Sequence, residues 1–125
     1  MSMKILVVDD SSLARRTSRQ ALEEMGHTVE EAKDGAEAIE RFYLNKHDLI
    51  VLDMVMEGMY GLEVLMKLKQ LNPDVRVIVI TADIQASTKA EVRAAGAVAL
   101  INKPVVREEL ARVVNSVLKG ETAWN

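Results

Sequence analysis

Five side chains carry between them the parts of one reaction: Asp9, Asp10, Asp53, Thr81 and Lys103. Three carboxylates held close together repel, so either one is protonated or a cation sits among them. Ligands that are all oxygen suit Mg²⁺, which keeps several waters and takes one or two carboxylates together with a phosphate oxygen. A carboxylate can also attack phosphorus to make an acyl phosphate. The protein's task is then positioning and charge neutralisation. In such chemistry Mg²⁺ covers one phosphoryl oxygen, an ammonium covers a second, and a hydroxyl can donate to a third. Polar residues are common at strand ends, and Asp is common in turns. That explains any one of these positions more easily than all five in this order.

The five must be delivered by elements that end at one place. Short β-branched and aliphatic runs recur at residues 4–9, 28–31, 48–53, 76–81 and 97–102, with helix-period segments between them. The runs ILVV, LIVL and VIVI are nearly continuous apolar, as in strands covered on both faces. Ser11 is a candidate cap for a helix with Leu13, Thr17, Ala21, Leu22 and Met25 on one side and Gly26 at its end. Asp34 with Glu37 resembles a capping box before Ala38, Ile39 and Phe42. A third helix covers 61–71 and closes at Asn72-Pro73. A weaker fourth covers 84–95 before Gly96. The fifth carries Leu110, Val113, Val114, Val117 and Leu118 before Gly120.

Five repeats of strand then helix, joined by right-handed crossovers, predict an α/β three-layer sandwich. In such folds the ligand site lies at the carboxyl ends of the strands. Strand one ends at Asp9-Asp10, strand three at Asp53 and strand four at Thr81, and strand five leads to Lys103-Pro104. The five chemical groups therefore converge on one edge.

The sequence of 125 residues suits a single domain, expected over 1–120 with 121–125 as a flexible tail. The formal net charge of −3 argues against a basic nucleic-acid surface. No apolar run approaches the roughly 20 residues that span a bilayer, and residues 1–10 lack the segments of a signal peptide. Cysteine is absent, which excludes disulfides and thiolate metal sites and fits a cytoplasmic protein.

VVDDS at 7–11, LDMVMEGMYG at 52–61, ITA at 80–82 and INKP at 101–104 resemble the signatures of response regulator receiver domains of two-component systems, the chemotaxis-regulator type included. The resemblance spans nearly the whole chain. It implies a flavodoxin-like fold with five parallel strands in the order 2-1-3-4-5 and five helices. It implies that Asp53 is the phosphoacceptor, that Asp10 binds Mg²⁺ directly and Asp9 through water, and that the Val55 backbone carbonyl is a further ligand. Lys103 would pair with the phosphoryl group, Thr81 would move toward it past Ala82, and Lys103-Pro104 would form a cis-proline turn. The phosphoryl donor would be a sensor histidine kinase or a histidine phosphotransfer protein. The output would be binding of a downstream protein effector, or weak dimerisation of a monomer, through the face made by helix four, strand five and helix five.

The chain departs from that pattern in places. Leu100 stands where the family usually has an aromatic switch residue, so a muted or differently read switch is expected, the alternative being that Leu100 merely packs. Glu57 and Gly58 replace the usual proline segment, which should loosen the loop after strand three. Val55 and Asp83 occupy positions that handle the attacking water, and Val55 is a candidate shield for the acyl phosphate. Val105 replaces a common Phe, leaving the output face poor in aromatics.

Other residues are read plainly. His27 and His47 are expected to be solvated in loops. Met54, Met56 and Met59 are expected to pack, with Met59 a possible partner contact, and Tyr60 to sit where the loop enters helix three. Lys89, Arg93, Arg107 and Arg112 are expected on solvated faces of helices four and five. Trp124 is a tail residue, the start of a linker or a docking anchor.

The leading expectation is a stand-alone signalling module that acts on itself and is not an enzyme turning over a metabolite, since little chain follows residue 120. A receiver taken from a larger transcriptional regulator would look the same. An aspartate-nucleophile phosphatase of the haloacid-dehalogenase type usually has a second acid two residues on, where this chain has Val55. A flavodoxin-like electron carrier needs a first loop rich in Ser, Thr and Gly to cradle phosphate, and Asp9-Asp10 in that place would repel a flavin phosphate.

Overall fold

The computed structural model describes residues 2–56, 59–82 and 85–124. The chain runs β1 (Lys4–Val8), α1 (Ser12–Glu24), β2 (Thr28–Ala32), α2 (Gly35–Asn45), β3 (Leu49–Asp53), β4 (Val55–Met56), β5 (Met59–Tyr60), α3 (Gly61–Leu71), β6 (Arg76–Thr81), α4 (Ala86–Ala94), β7 (Ala99–Asn102) and α5 (Arg107–Leu118). Five strands form one parallel sheet in the order β2-β1-β3-β6-β7, the flavodoxin-like arrangement. The predicted strands four and five are β6 and β7.

The period of two along each strand divides the core. Ile5, Val7, Leu49, Val51, Ile78, Ile80, Ala99 and Ile101 face one way, onto Leu22 of α1 and Leu110, Val113, Val114 and Val117 of α5. Leu6, Val8, Ile50, Leu52, Val77 and Val79 face the other way, onto Phe42 of α2, Val64, Leu65 and Leu68 of α3, and Val92 of α4. Each fully buried Leu, Ile or Val contributes about 1.5–3 kcal/mol of transfer free energy, so both helix layers are clamped to the sheet.

The local signals read from the sequence account for the helix ends. The Ser11 hydroxyl accepts from Ala14 N at 3.2 Å. Asp34 Oδ1 accepts from Glu37 N at 2.8 Å, and Glu37 Oε1 accepts in return from Lys33 N at 3.2 Å. That return bond is shifted one residue upstream of a standard capping box.

Three expectations are corrected. Leu13 is 71 % exposed and Thr17 is exposed, and α1 buries Ser18, Ala21 and Leu22 instead. At about 100° per residue, Leu13 falls on the far side of the helix from Leu22. The two histidines are not solvated: His27 is 7 % and His47 2 % exposed. His27 Nδ1 accepts from Met3 N at 3.1 Å. His47 Nε2 lies 2.6 Å from Glu30 Oε1, and its ring stacks on Phe42. Both loops fold back onto the sheet, so the rings are enclosed.

The segment after β3 contains an antiparallel pair that the sequence did not announce, Val55 opposite Tyr60 and Met56 opposite Met59. Glu57, Gly58 and Asp83, to which loop and water-handling roles were attached, lie outside the described residues, as does the Val55 side chain.

Candidate functional site

The carboxyl ends of β1, β3, β6 and β7 deliver the five groups to one edge. Asp9 and Asp10 follow β1, Asp53 ends β3, Thr81 ends β6, and Lys103 follows β7. Asp53 and Thr81 are each 1 % exposed and Asp9 6 %, whereas Asp10 is open to solvent. Asp9, Asp10 and Asp53 each bring a carboxylate oxygen within 4.8 Å of the others. Lys103 Nζ lies 3.0 Å from Asp53 Oδ2 and 4.0 Å from Asp9 Oδ2.

Neighbouring groups hold these side chains in place. Asp9 Oδ1 accepts from Ser11 N at 2.9 Å. Arg15 Nη1 donates to the Asp9 backbone carbonyl at 2.7 Å, while Arg15 Nε donates to Glu31 Oε1 at 3.1 Å. Lys103 N donates to Thr81 O at 2.9 Å, so the β7 exit is tied to the end of β6. The Lys103–Pro104 peptide bond is cis. After β3, Met54 N donates to Ile80 O and Gly61 N donates to Met54 O, each at 2.9 Å. A Cβ on Gly61 would lie 2.5 Å from Met54 Cα, so only glycine permits this approach.

Electrostatics follow from the crowding. Burial pushes the Asp9 carboxyl above its ordinary range, and the Asp53 charge adds to this, against the Ser11 N–H and Lys103. Burial works against the Lys103 ammonium, but the hydrogen bond and charge of Asp53, with the charges of Asp9 and Asp10, outweigh it and hold Lys103 above the ordinary lysine value. One ammonium thus faces three carboxylates. A hard divalent cation with oxygen ligands fits that imbalance, and exposed Asp10 leaves the cluster open on one side.

A cleft of about 350 Å³ opens beside Thr81 between α3 and α4, lined by Met54, Tyr60, Leu62, Glu63, Thr88 and Glu91. A groove of about 540 Å³ at the carboxyl ends of α2 and α3, around Tyr43, Leu44 and Leu71, lies away from the acids. Leu100 is 5 % exposed in β7. Val55 lies in β4, two residues past Asp53. Arg15 was not singled out in the sequence, because nothing in the spacing says that its guanidinium turns back to Asp9. Residues 121–124, expected as a flexible tail, run beside β7, and Ala123 bridges to Ala99. Among the described residues no helix is long and apolar enough to cross a membrane.

A family model for the response regulator receiver domain matches residues 5–115. The response regulator MprA of Mycobacterium ulcerans (strain Agy99) is 38 % identical over 119 residues, covering 95 % of this chain and 51 % of that protein. The chain thus spans about half the length of the curated relatives it matches. Among solved structures, the chemotaxis protein CheY4 of Vibrio cholerae superposes with a TM-score of 0.88 at 28 % identity, over 94 % of this chain and 99 % of that one. A CheY-like receiver domain protein of Methanospirillum hungatei JF-1 superposes with a TM-score of 0.91 at 28 % identity, over 96 % of each chain.

Proposed function

The chain belongs to the response regulator receiver domain family, and on that premise we propose that Asp53 accepts a phosphoryl group and that the change is read on the face formed by α4, β7 and α5. The observation that carries this reading is the placement of Lys103 Nζ 3.0 Å from the buried Asp53 Oδ2 within the acidic cluster.

The donor in this reading is a phosphohistidine of a sensor kinase or phosphotransfer protein. Its P–N bond breaks as an O–P bond forms to Asp53, and the leaving imidazole takes up a proton. Asp10, Asp53 and the Val55 carbonyl would hold Mg²⁺, with Asp9 acting through water. The ion supplies neutralisation of one phosphoryl oxygen. Lys103 exchanges its contact with Asp53 for a second phosphoryl oxygen. Thr81 turns to donate to the third, with the adjoining cleft giving it room. Leu100, buried in β7, is the side chain whose repacking would carry the change outward. MprA, of which this chain covers 51 %, is a longer protein, so the reading is confined to the chemistry of the domain itself.

Backbone chemical shifts recorded with Mg²⁺ and beryllofluoride test it. Changes are expected around Asp53 and across α4, β7 and α5. Changes restricted to the acidic edge would remove the face from the account, and no change at Asp53 would remove the acceptor.

A further inference from the structure

The end of α5 is built to send the chain back along the sheet. Gly120, at φ 85°, donates its N–H to Val117 O at 3.0 Å, and Glu121 N donates to Ser116 O at 3.0 Å. This paired closure is the Schellman arrangement. The chain reverses and runs parallel to β7, the edge strand of the sheet. Ala123 N donates to Val98 O at 3.0 Å, and Ala123 O accepts from Leu100 N at 3.3 Å, forming a parallel bridge with Ala99. Side chains alternate as in a strand. Ala123 packs on the core layer shared with α5. Trp124 packs on the layer shared with α4, where the Arg93 guanidinium lies 5.2 Å from its ring centroid.

We propose that the α4–β7–α5 face is a strand-accepting groove whose resident occupant is the chain's own segment 122–124, and that phosphorylation of Asp53 displaces it. An edge strand presents unpaired N–H and C=O groups that another strand can take up. Extended peptides bind proteins in this way, with backbone bonds giving affinity and side-chain pockets giving selectivity. Here the resident brings a small residue toward α5 and an aromatic ring toward α4. Two hydrogen bonds, one ring contact and the partial burial of Ala123 and Trp124 make a modest hold, suited to exchange. A partner that reads this face as an extended strand must displace the segment first.

The release rests on the phosphoacceptor reading of Asp53. The segment touches the two elements that lead from Thr81 and into Lys103. Leu100, which donates to Ala123, lies three residues before Lys103 on the same strand, and α4, which carries Arg93, follows Thr81. A phosphoryl group drawing Lys103 and Thr81 together shifts both walls of the groove.

Trp124 is the only tryptophan in the chain and reports directly. In the intact protein, acrylamide quenching of Trp124 is expected to be several-fold weaker than for a free peptide of residues 119–124. It should rise toward the peptide value on adding Mg²⁺ and beryllofluoride. In Trp124→Ala, hydrogen exchange at the Leu100 amide should accelerate. The Val98 amide, which donates to Val77 O inside the sheet, should stay protected and report an intact fold. Peptide-like quenching in the intact protein, or unchanged Leu100 exchange in the variant, overturns the docked segment. Protection that grows with protein concentration assigns the groove to a second copy and overturns the intramolecular occupant. Protection unaltered by beryllofluoride, in protein whose Asp53 accepts a phosphoryl group from acetyl phosphate, overturns the release and leaves the acceptor reading standing. Failure of Asp53 to accept at all removes that reading and the release with it.

Discussion

Lys103 Nζ sits 3.0 Å from Asp53 Oδ2 and only 4.0 Å from Asp9 Oδ2, the sole ammonium at this cluster among the described residues. It therefore already occupies part of the field that a divalent cation would enter. Lys103→Ala should tighten Mg²⁺ binding several-fold, because a competing cation is gone. It should also slow phosphoryl acceptance from acetyl phosphate by about 10²-fold or more, the scale of losing one group that stabilises developing charge. Mg²⁺ titration and a single-turnover rate measurement check the two halves separately.

Removing one acid should relieve the cluster. Without Mg²⁺, Asp53→Asn keeps an acceptor for Lys103 but deletes a charge close to Asp9 and Asp10. The variant should gain about 1 kcal/mol of stability, the order of a like-charge contact of this kind. Adding Mg²⁺ should then stabilise the parent more than the variant. Thermal melts with and without Mg²⁺ decide this, and a lower midpoint for the metal-free variant would contradict it.

Gly61 is placed by sterics. Its missing Cβ would meet Met54 Cα at 2.5 Å and Met54 O at 2.8 Å, and both of those are backbone atoms that cannot rotate away. Gly61→Ala should cost about 1–3 kcal/mol through overpacking and loosen the bond from Gly61 N to Met54 O. Urea denaturation should show a lower midpoint with an unchanged slope.

His47 gives the fold an acid sensitivity. Burial holds its pKa below the ordinary 6.5, in spite of the opposing hydrogen bond and charge of Glu30. Neutral His47 donates through Nε2 to Glu30, and its buried Nδ1 has no partner among the described residues for a second proton. The folded state thus binds fewer protons than the unfolded chain just below pH 6.5, and stability is lost as pH falls from there through the lowered native pKa. His27, also lowered by burial, acts in the same direction. His47→Gln should flatten part of the decline in denaturation midpoint between pH 7 and 5. An unchanged decline would assign the effect elsewhere.

Much of this was legible in the chain because it is local. The strands announced themselves as continuous apolar runs, and the acids followed directly at their ends, so order along the sequence became order along one edge. Helix ends were written in Ser11, Asp34 and Gly120. What stayed hidden depends on contacts far apart in sequence. His47 reads as a loop residue until Glu30, 17 positions away, is found beside it. Arg15 is one of two adjacent arginines until its guanidinium is seen on Asp9 O. Leu13 was drawn into an apolar face by spacing that drifts around the helix. The turn at Gly120 was read as an end, although its geometry sends Ala123 onto Ala99.

The central claim is tested most directly by incubating the protein with acetyl phosphate and Mg²⁺, followed by intact mass measurement and peptide mapping. The account predicts a gain of about 80 Da, one phosphoryl group as an acyl phosphate, located on Asp53, dependent on Mg²⁺ and absent from Asp53→Ala. A gain that never appears, or that persists in Asp53→Ala, would contradict it.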